Sequence, residues 1–120
     1  MSGGQVSSEL VWLIDIVATC ADVLNIQLPA VSAEDSISFY PLLKHPEASG
    51  DRVTIIHHAY DGMYVVRKGE WKYVEGLGSG GFSEPRRYSA AKGEAGGQLY
   101  HIADDSRETL NLWLTRQDKV

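Results

Sequence analysis

The chain has 120 residues, 11 basic and 16 acidic, for a net charge of −5. By length it reads as one domain, and it has no basic excess to reward a nucleic-acid backbone or an anionic membrane. With 43% hydrophobic and 22% charged residues it has an ordinary globular composition, and its one cysteine, Cys20, has no partner for an internal disulfide.

Met1 to Gln5 is a Gly/Ser-rich start expected to be loose, followed by Ser7 and Ser8 as candidate N-caps. The periodicity predicts a helix over 8–25. Asp15, Thr19 and Asp22 form one narrow polar stripe at i, i+4 and i+7, and nearly everything else is apolar. A helix so widely apolar belongs inside a protein. Asp15 and Asp22 interrupt the run from Leu10 to Leu24, so it is not a membrane span, and no basic stretch precedes it as in a signal peptide. Asn25 is placed to end the helix, since asparagine tolerates the left-handed conformation. Pro29 then fixes an extended connection, and Ile37 to Leu43, interrupted by Pro41, reads as loop with a turn of helix.

Arg52 to His58 is rich in β-branched residues and reads as a strand. Asp61-Gly62 predicts a tight hairpin turn, after which Met63 to Arg67 and Glu70 to Glu75 continue an antiparallel meander. Gly76 to Gly97 is a long Gly/Ser/Ala-rich insertion, a functional loop or a disordered one. Gln98 to Ile102 supplies a fourth strand. Asp105, with Glu108 at capping-box spacing, predicts a final helix over 105–115. The expectation is an α+β fold in a single domain over 1–120. It has a four-stranded antiparallel sheet (52–102) with the N-terminal and C-terminal helices packed on one face.

Few residues advertise chemistry. His57 and His58 are adjacent on a strand, so they point to opposite faces and do not share one ion. His45 and His101 stand in separate segments, and no HxxxH or CxxC spacing exists. No metal and no cofactor is therefore expected. The Gly76-x-Gly78-x-Gly80-Gly81 run lacks the helix or GK[ST] that a phosphate-binding loop requires. Cys20 lies mid-helix among apolar residues, a poor setting for a thiolate. Asp104 and Asp105 precede a predicted helix and read as caps. Arg86 and Arg87 are the best anion contacts, because guanidinium geometry suits sulfate or phosphate. Tyr60, Tyr64, Trp71, Tyr73 and Tyr100 read as a packed sheet face rather than a sugar platform.

These segments, in order, resemble the C-terminal subdomain of a sulfatase of the arylsulfatase type. Leu10 to Pro29 (LVWLIDIVATCADVLNIQLP) is similar to that family's D-x-x-x-T helix followed by Leu-Pro, here Asp15, Thr19, Leu28 and Pro29. Glu34-Asp35-Ser36 to Pro41-Leu42-Leu43 resembles its next connection, and Arg67 to Lys72 its R-x-G-x-W-K hairpin. Gly78 to Ser83 resembles a GSGGW-type loop. Leu99-Tyr100 with Asp104, Asp105, Glu108 and Asn111-Leu112 resembles the closing LYDL-x-x-D-P-x-E-x-x-NL, with His101 and Ser106 as departures.

The resemblance implies a small sheet and terminal helix beside a catalytic domain, with loops that shape the substrate pocket. Its nucleophile comes from a Cys or Ser in a C/S-x-P-x-R motif. Cys20, followed by Ala21, Asp22 and Val23, is not set in one, and the motif is expected to be absent with the catalytic domain that carries it. No catalytic residue is assigned, and the chain alone is expected to be inactive. His57, His58, Arg86 and Arg87 are the candidate pocket residues. The expected partner is a sulfatase catalytic domain or a second copy, met through the 10–24 helix, which otherwise exposes an apolar face. No nucleic-acid or membrane partner is expected, and localisation stays open. A standalone binding or assembly module is the alternative. A small hydrolase working through His57 or His58 is a further one, with no nucleophile–base–orienter set to support it.

Overall fold

The computed structural model describes residues 4–120, so part of the loose start expected over Met1–Gln5 lies outside the described residues. The chain divides into two compact units, one ending at Val53 and the other running from Thr54 to Val120. Both helices, α1 (Asp15–Leu24) and α2 (Tyr40–Lys44), belong to the first. The second holds β1 (Thr54–His58), β2 (Tyr64–Lys68), β3 (Trp71–Val74), β4 (Gln98–His101) and a short 3-10 turn, Gln117–Lys119. The class is α+β with a four-stranded antiparallel sheet, as the sequence predicts. No helix among the described residues is long and apolar enough to cross a membrane.

In the first unit α1 turns its polar stripe inward. Asp15 is 1% exposed and Thr19 is buried, whereas Ile16, Val17, Val23 and Leu24 are exposed. One Asp15 oxygen accepts the Trp12 N–H and the Arg52 Nε–H, each at 2.7 Å; the other accepts the Ile37 N–H at 2.9 Å and an Arg52 Nη2 hydrogen. Arg52 Nη2 also donates to the Asp35 carbonyl at 2.6 Å. The Thr19 hydroxyl donates to the Asp15 carbonyl and accepts the Phe39 N–H, at 2.7 and 3.0 Å. Ser36 Oγ donates to the Ile14 carbonyl and accepts the Ala18 N–H. The connection after the helix is thus sewn to it by side chains, because its backbone has no ladder partner. Among the described residues no buried side-chain polar atom lacks a partner.

The helix begins at Asp15 rather than near residue 8. Ser7 accepts only its neighbour Glu9's N–H, at 3.4 Å. Residues 12–15 instead form a tight turn, with the Asp15 N–H on the Trp12 carbonyl at 2.9 Å and the Asp15 carboxylate reaching back to Trp12. The end falls where expected: Asn25 is left-handed at φ +52° and its N–H meets the last helical carbonyls.

In the second unit β1 to β4 pair in chain order. Met63, Val65 and Val74 form a buried cluster with Ala59 packed against it, and Leu99 is 0% exposed. The aromatic set does not share one packed face. Tyr100 is buried and Trp71 and Tyr73 half-buried, but Tyr60 and Tyr64 are exposed.

The helix expected over 105–115 is replaced by successive turns. Glu108 is left-handed at φ +58°, which stops a helix, and Asp105 caps a single turn by accepting the Leu110 N–H at 2.8 Å. The Leu112 N–H, which a helix would spend on residue 108, goes to the Leu99 carbonyl at 2.8 Å. Asn111 completes the arrangement: its Oδ1 accepts the Leu99 N–H and its Nδ2 donates to the Gly97 carbonyl, both at 3.0 Å. Asn111-Leu112 therefore covers the outer edge of β4, which would otherwise offer unpaired backbone groups.

Candidate functional site

The candidate residues gather around the β1–β2 hairpin tip and the glycine-rich segment that folds onto it. The tip is a three-residue loop, Tyr60-Asp61-Gly62, rather than the two-residue turn expected from Asp61-Gly62. The Ala59 N–H meets the Met63 carbonyl at 2.8 Å, the Gly62 N–H meets the Ala59 carbonyl at 3.0 Å, and Gly62 sits at φ +87°. Asp61 anchors both strands of the site. One carboxylate oxygen accepts the Met63 N–H at 3.1 Å, and the other accepts Arg87 Nε–H at 2.9 Å. The Met63 N–H chiefly holds its pKa below the usual carboxylate value; desolvation opposes this, and the Arg87 guanidinium adds to the lowering.

The glycine-rich segment is tied at several points. Leu77 and Tyr88 form an antiparallel bridge, the Gly80 N–H meets the Arg86 carbonyl at 2.9 Å, and the Asp61 N–H meets the Gly80 carbonyl at 3.0 Å. Gly80 is obligatory: its φ is +62°, and a Cβ there would stand 2.6 Å from the Ala59 Cβ. Gln98 Nε2 closes the base of the segment by donating to the Gly76 and Gly78 carbonyls at 3.0 Å each. A stretch that composition leaves open between loop and disorder is held by backbone bonds at its stem.

The four candidate residues divide. Arg87 is drawn to the tip through Asp61, while Arg86 forms an exposed pair with Glu84 at 3.3 Å. His57 pairs in register with Val65 and shares its face with Lys72, and His58 pairs with Tyr64 on the opposite face. Desolvation first, then the positive charge of Lys72 and of His58, push the His57 pKa below 6.5. His58 Nδ1 lies 3.0 Å from the Ala59 carbonyl. Two residues passed over as site candidates stand at the same tip: Tyr60, 75% exposed, and Phe82, 84% exposed, with ring centroids 5.1 Å apart and planes tilted by 33°. In the sequence Tyr60 stood in the aromatic set read as a packed sheet face, and Phe82 in the segment that resembles a GSGGW-type loop.

The bare pattern C/S-x-P-x-R, expected to be absent, is spelled once, by Ser83-Glu84-Pro85-Arg86-Arg87. It lies in the exposed turn of the glycine-rich segment, with a cis Glu84–Pro85 bond. The Ser83 carbonyl accepts the Ser79 hydroxyl at 2.5 Å, and the arginine that closes the pattern is spent on Asp61. Among the described residues no group of three or more His, Cys, Asp or Glu side chains is placed to hold a metal ion.

The first unit carries a different surface. Ile16, Cys20, Val23, Leu24, Phe39 and Leu43 line an open apolar groove of about 360 Å³ on α1. Cys20, exposed there, is a groove residue rather than a core one.

Compared with protein-family models and with curated proteins, the chain matches none. Among solved structures it is similar to a Bacteroides thetaiotaomicron sulfatase described in connection with the metabolism of multiple glycosaminoglycans, at 24% identity and a TM-score of 0.71. That likeness covers 95% of this chain and 23% of the other. It is also similar to a sulfatase solved in complex with its substrate D-glucosamine-2-N,6-O-disulfate, at 18% identity and a TM-score of 0.67, covering 100% of this chain and 23% of that one. The likeness is one of fold. The chain has a sulfatase subdomain-like fold and spans less than a quarter of the length of either structure.

Proposed function

We propose that the chain serves as a non-catalytic subdomain of a sulfuric ester hydrolase, supporting the fold of a catalytic domain and shaping its substrate pocket. The observation that carries this reading is the fold likeness itself, which takes in nearly all of this chain and under a quarter of each sulfatase. In this reading the hairpin tip and the glycine-rich segment face the pocket, with Arg86, Arg87 and one of His57 and His58 as contacts. Opposite faces of β1 exclude both histidines from one pocket. The apolar groove of α1 is the docking face for the catalytic domain.

The test is aryl sulfate hydrolysis by the chain alone and by the chain joined in one frame to a sulfatase catalytic domain. Turnover is expected only from the joined protein, and Ser83→Ala should leave that turnover unchanged. Hydrolysis by the isolated chain that disappears in Ser83→Ala, His57→Ala or His58→Ala would overturn the reading.

A second reading, a standalone module that self-associates through the 10–24 segment, is favoured by one observation: Ile16, Val17, Val23 and Leu24 are all exposed along α1. Sedimentation velocity separates the two. A concentration-dependent dimer abolished by Val23→Asp supports the module, and a monomer at all concentrations removes it.

A further inference from the structure

We infer that the outer edge of β1 is an interface at which two copies of this chain pair antiparallel, joining their sheets into one. The two edges of the sheet differ. Asn111-Leu112 covers β4, whereas β1 stands last in the strand order on the other side. The register says which of its groups are left over. The Ala59 N–H meets the Met63 carbonyl, and the Glu75 N–H meets the Tyr64 carbonyl. Bonded pairs alternate in an antiparallel ladder, so Ile55 and His57 spend their backbone groups on Arg67 and Val65. The N–H and carbonyl groups of Ile56 and of His58 point outward, and no backbone bond among the described residues uses them. The Ile56 side chain beside them is 54% exposed.

Sheets commonly guard such an edge with a lysine, a proline, a bulge or a cover. Here β1 pairs with β2 without a bulge, and residues 53–60 (VTIIHHAY) hold no proline and no Asp, Glu, Lys or Arg. The strand suits a second copy of itself. About a twofold axis at Ile56 all five residues of β1 overlap; Ile56 faces Ile56 of the second copy, and His58 faces Thr54 of the second copy. The two Ile56 residues then exchange both N–H···O bonds, and their side chains form a β-branched cross-strand pair. An axis at His58 would shorten the overlap and set two imidazoles opposite each other. The chain carries −5 overall, yet no formal charge stands along this seam to repel a copy or to select a charged partner. A five-residue seam is small beside a standard interface of roughly 800 Å² per partner, so the pairing is weak, with a Kd on the order of 0.1 mM. It is separate from the apolar face of α1.

The test follows the full chain by sedimentation velocity and by amide hydrogen exchange over a concentration series. A concentration-dependent dimer is expected, kept in Val23→Asp and weakened at least about tenfold by Ile56→Lys, which sets two ammonium groups opposite each other. The Ile56 and His58 amides should slow as concentration rises, while those of Ile55 and His57 are protected throughout. Retained protection at Ile55 and His57 shows that Ile56→Lys still folds. Cysteine cross-linking reads the register independently of that variant. In a Cys20→Ser background Ile56→Cys should form a disulfide-linked dimer, because directly opposed Cα atoms stand about 5.5 Å apart. Thr54→Cys should not, its two copies lying about 14 Å apart along the strands.

A monomer up to millimolar concentration overturns the inference, as does a dimer lost in Val23→Asp or indifferent to Ile56→Lys. Cross-linking as fast at Thr54→Cys as at Ile56→Cys overturns the antiparallel register. Protection of Ile56 and His58 that appears only in the joined protein, at every concentration, would give the edge to the catalytic domain instead of a second copy.

Discussion

The two units reach stability by opposite routes. In the first, a buried carboxylate, a hydroxyl and a guanidinium sit at the centre and the apolar residues of α1 face outward. In the second, apolar residues of the sheet are buried and the exposed tip carries aromatic and charged groups. The difference teaches where each unit keeps its apolar surface. The helix buries its polar stripe and leaves its apolar one open, the face that the reading proposed above gives to docking. A sheet whose outer β4 edge is closed by Asn111-Leu112 and whose loop is pinned is built to hold a shape.

The sharpest way to break the comparison is to remove the charge at the centre of the first unit. Asp15→Asn leaves Arg52, 8% exposed at its side chain, buried without its counter-charge. The expected loss is about 3–5 kcal/mol, the range for breaking a buried pair. Trp12 lies in the first unit and Trp71 and Trp113 in the second, so urea unfolding read by Trp12 in a Trp71→Phe, Trp113→Phe background follows the first unit. A midpoint unmoved by Asp15→Asn would mean that the apolar contacts, and not the clasp, hold that unit. The matching change in the second unit is Leu99→Ala. It empties a fully buried site and should cost about 2–5 kcal/mol, read by Trp71 and Trp113 in a Trp12→Phe background.

These two residues also mark what sequence could and could not reveal. Leu99 is an apolar residue in a strand pattern, and its burial follows from that pattern. The sheet was legible for the same reason: alternation and turn glycines are local signals, and all four strands fall within about two residues of their expected bounds. Asp15 and Thr19 were legible as a stripe but not as the inner face, because their partners Ile37, Phe39 and Arg52 lie 20 to 37 positions away and only tertiary structure unites them. Asp105 and Glu108 carry a sound local helix signal that loses to the closing of the β4 edge. At the site, Arg87 was legible by charge. Its partner Asp61 was read only as a turn residue, and Tyr60 and Phe82 meet through a contact that no spacing rule encodes.

A smaller effect tests whether the second unit's loop is as fixed as its stem bonds require. Gly80→Ala forces a Cβ into the Ala59 methyl at a left-handed backbone position, with an expected cost of about 1–3 kcal/mol. The amides of 79–88 should lose protection from hydrogen exchange, while those of α1 keep theirs. Unchanged protection over 79–88 would mean that the Arg87–Asp61 pair and the Leu77–Tyr88 bridge hold the loop without close packing at Gly80.

The smallest expected effect is one of acid. Desolvation, Lys72 and His58 depress the His57 pKa in the folded chain, so the folded state binds fewer protons there than the unfolded one below pH 6.5. The stability tied to neutral His57 is fully present above pH 6.5 and is lost as pH falls through the depressed folded value. Asp15 has the same sign in a lower window. Burial works to raise its pKa, but the Arg52 hydrogen bond and the Ile37 and Trp12 N–H groups outweigh it, so its stabilisation persists until pH falls below 3.8 and through the depressed folded value. Lowering the pH from 7.5 to 5 should therefore shift the Trp71 and Trp113 midpoint down slightly and leave the Trp12 midpoint in place. His57→Gln, which removes the titrating group beside Lys72, should flatten the first response. A slope that survives His57→Gln would take His57 out of the electrostatics of the site.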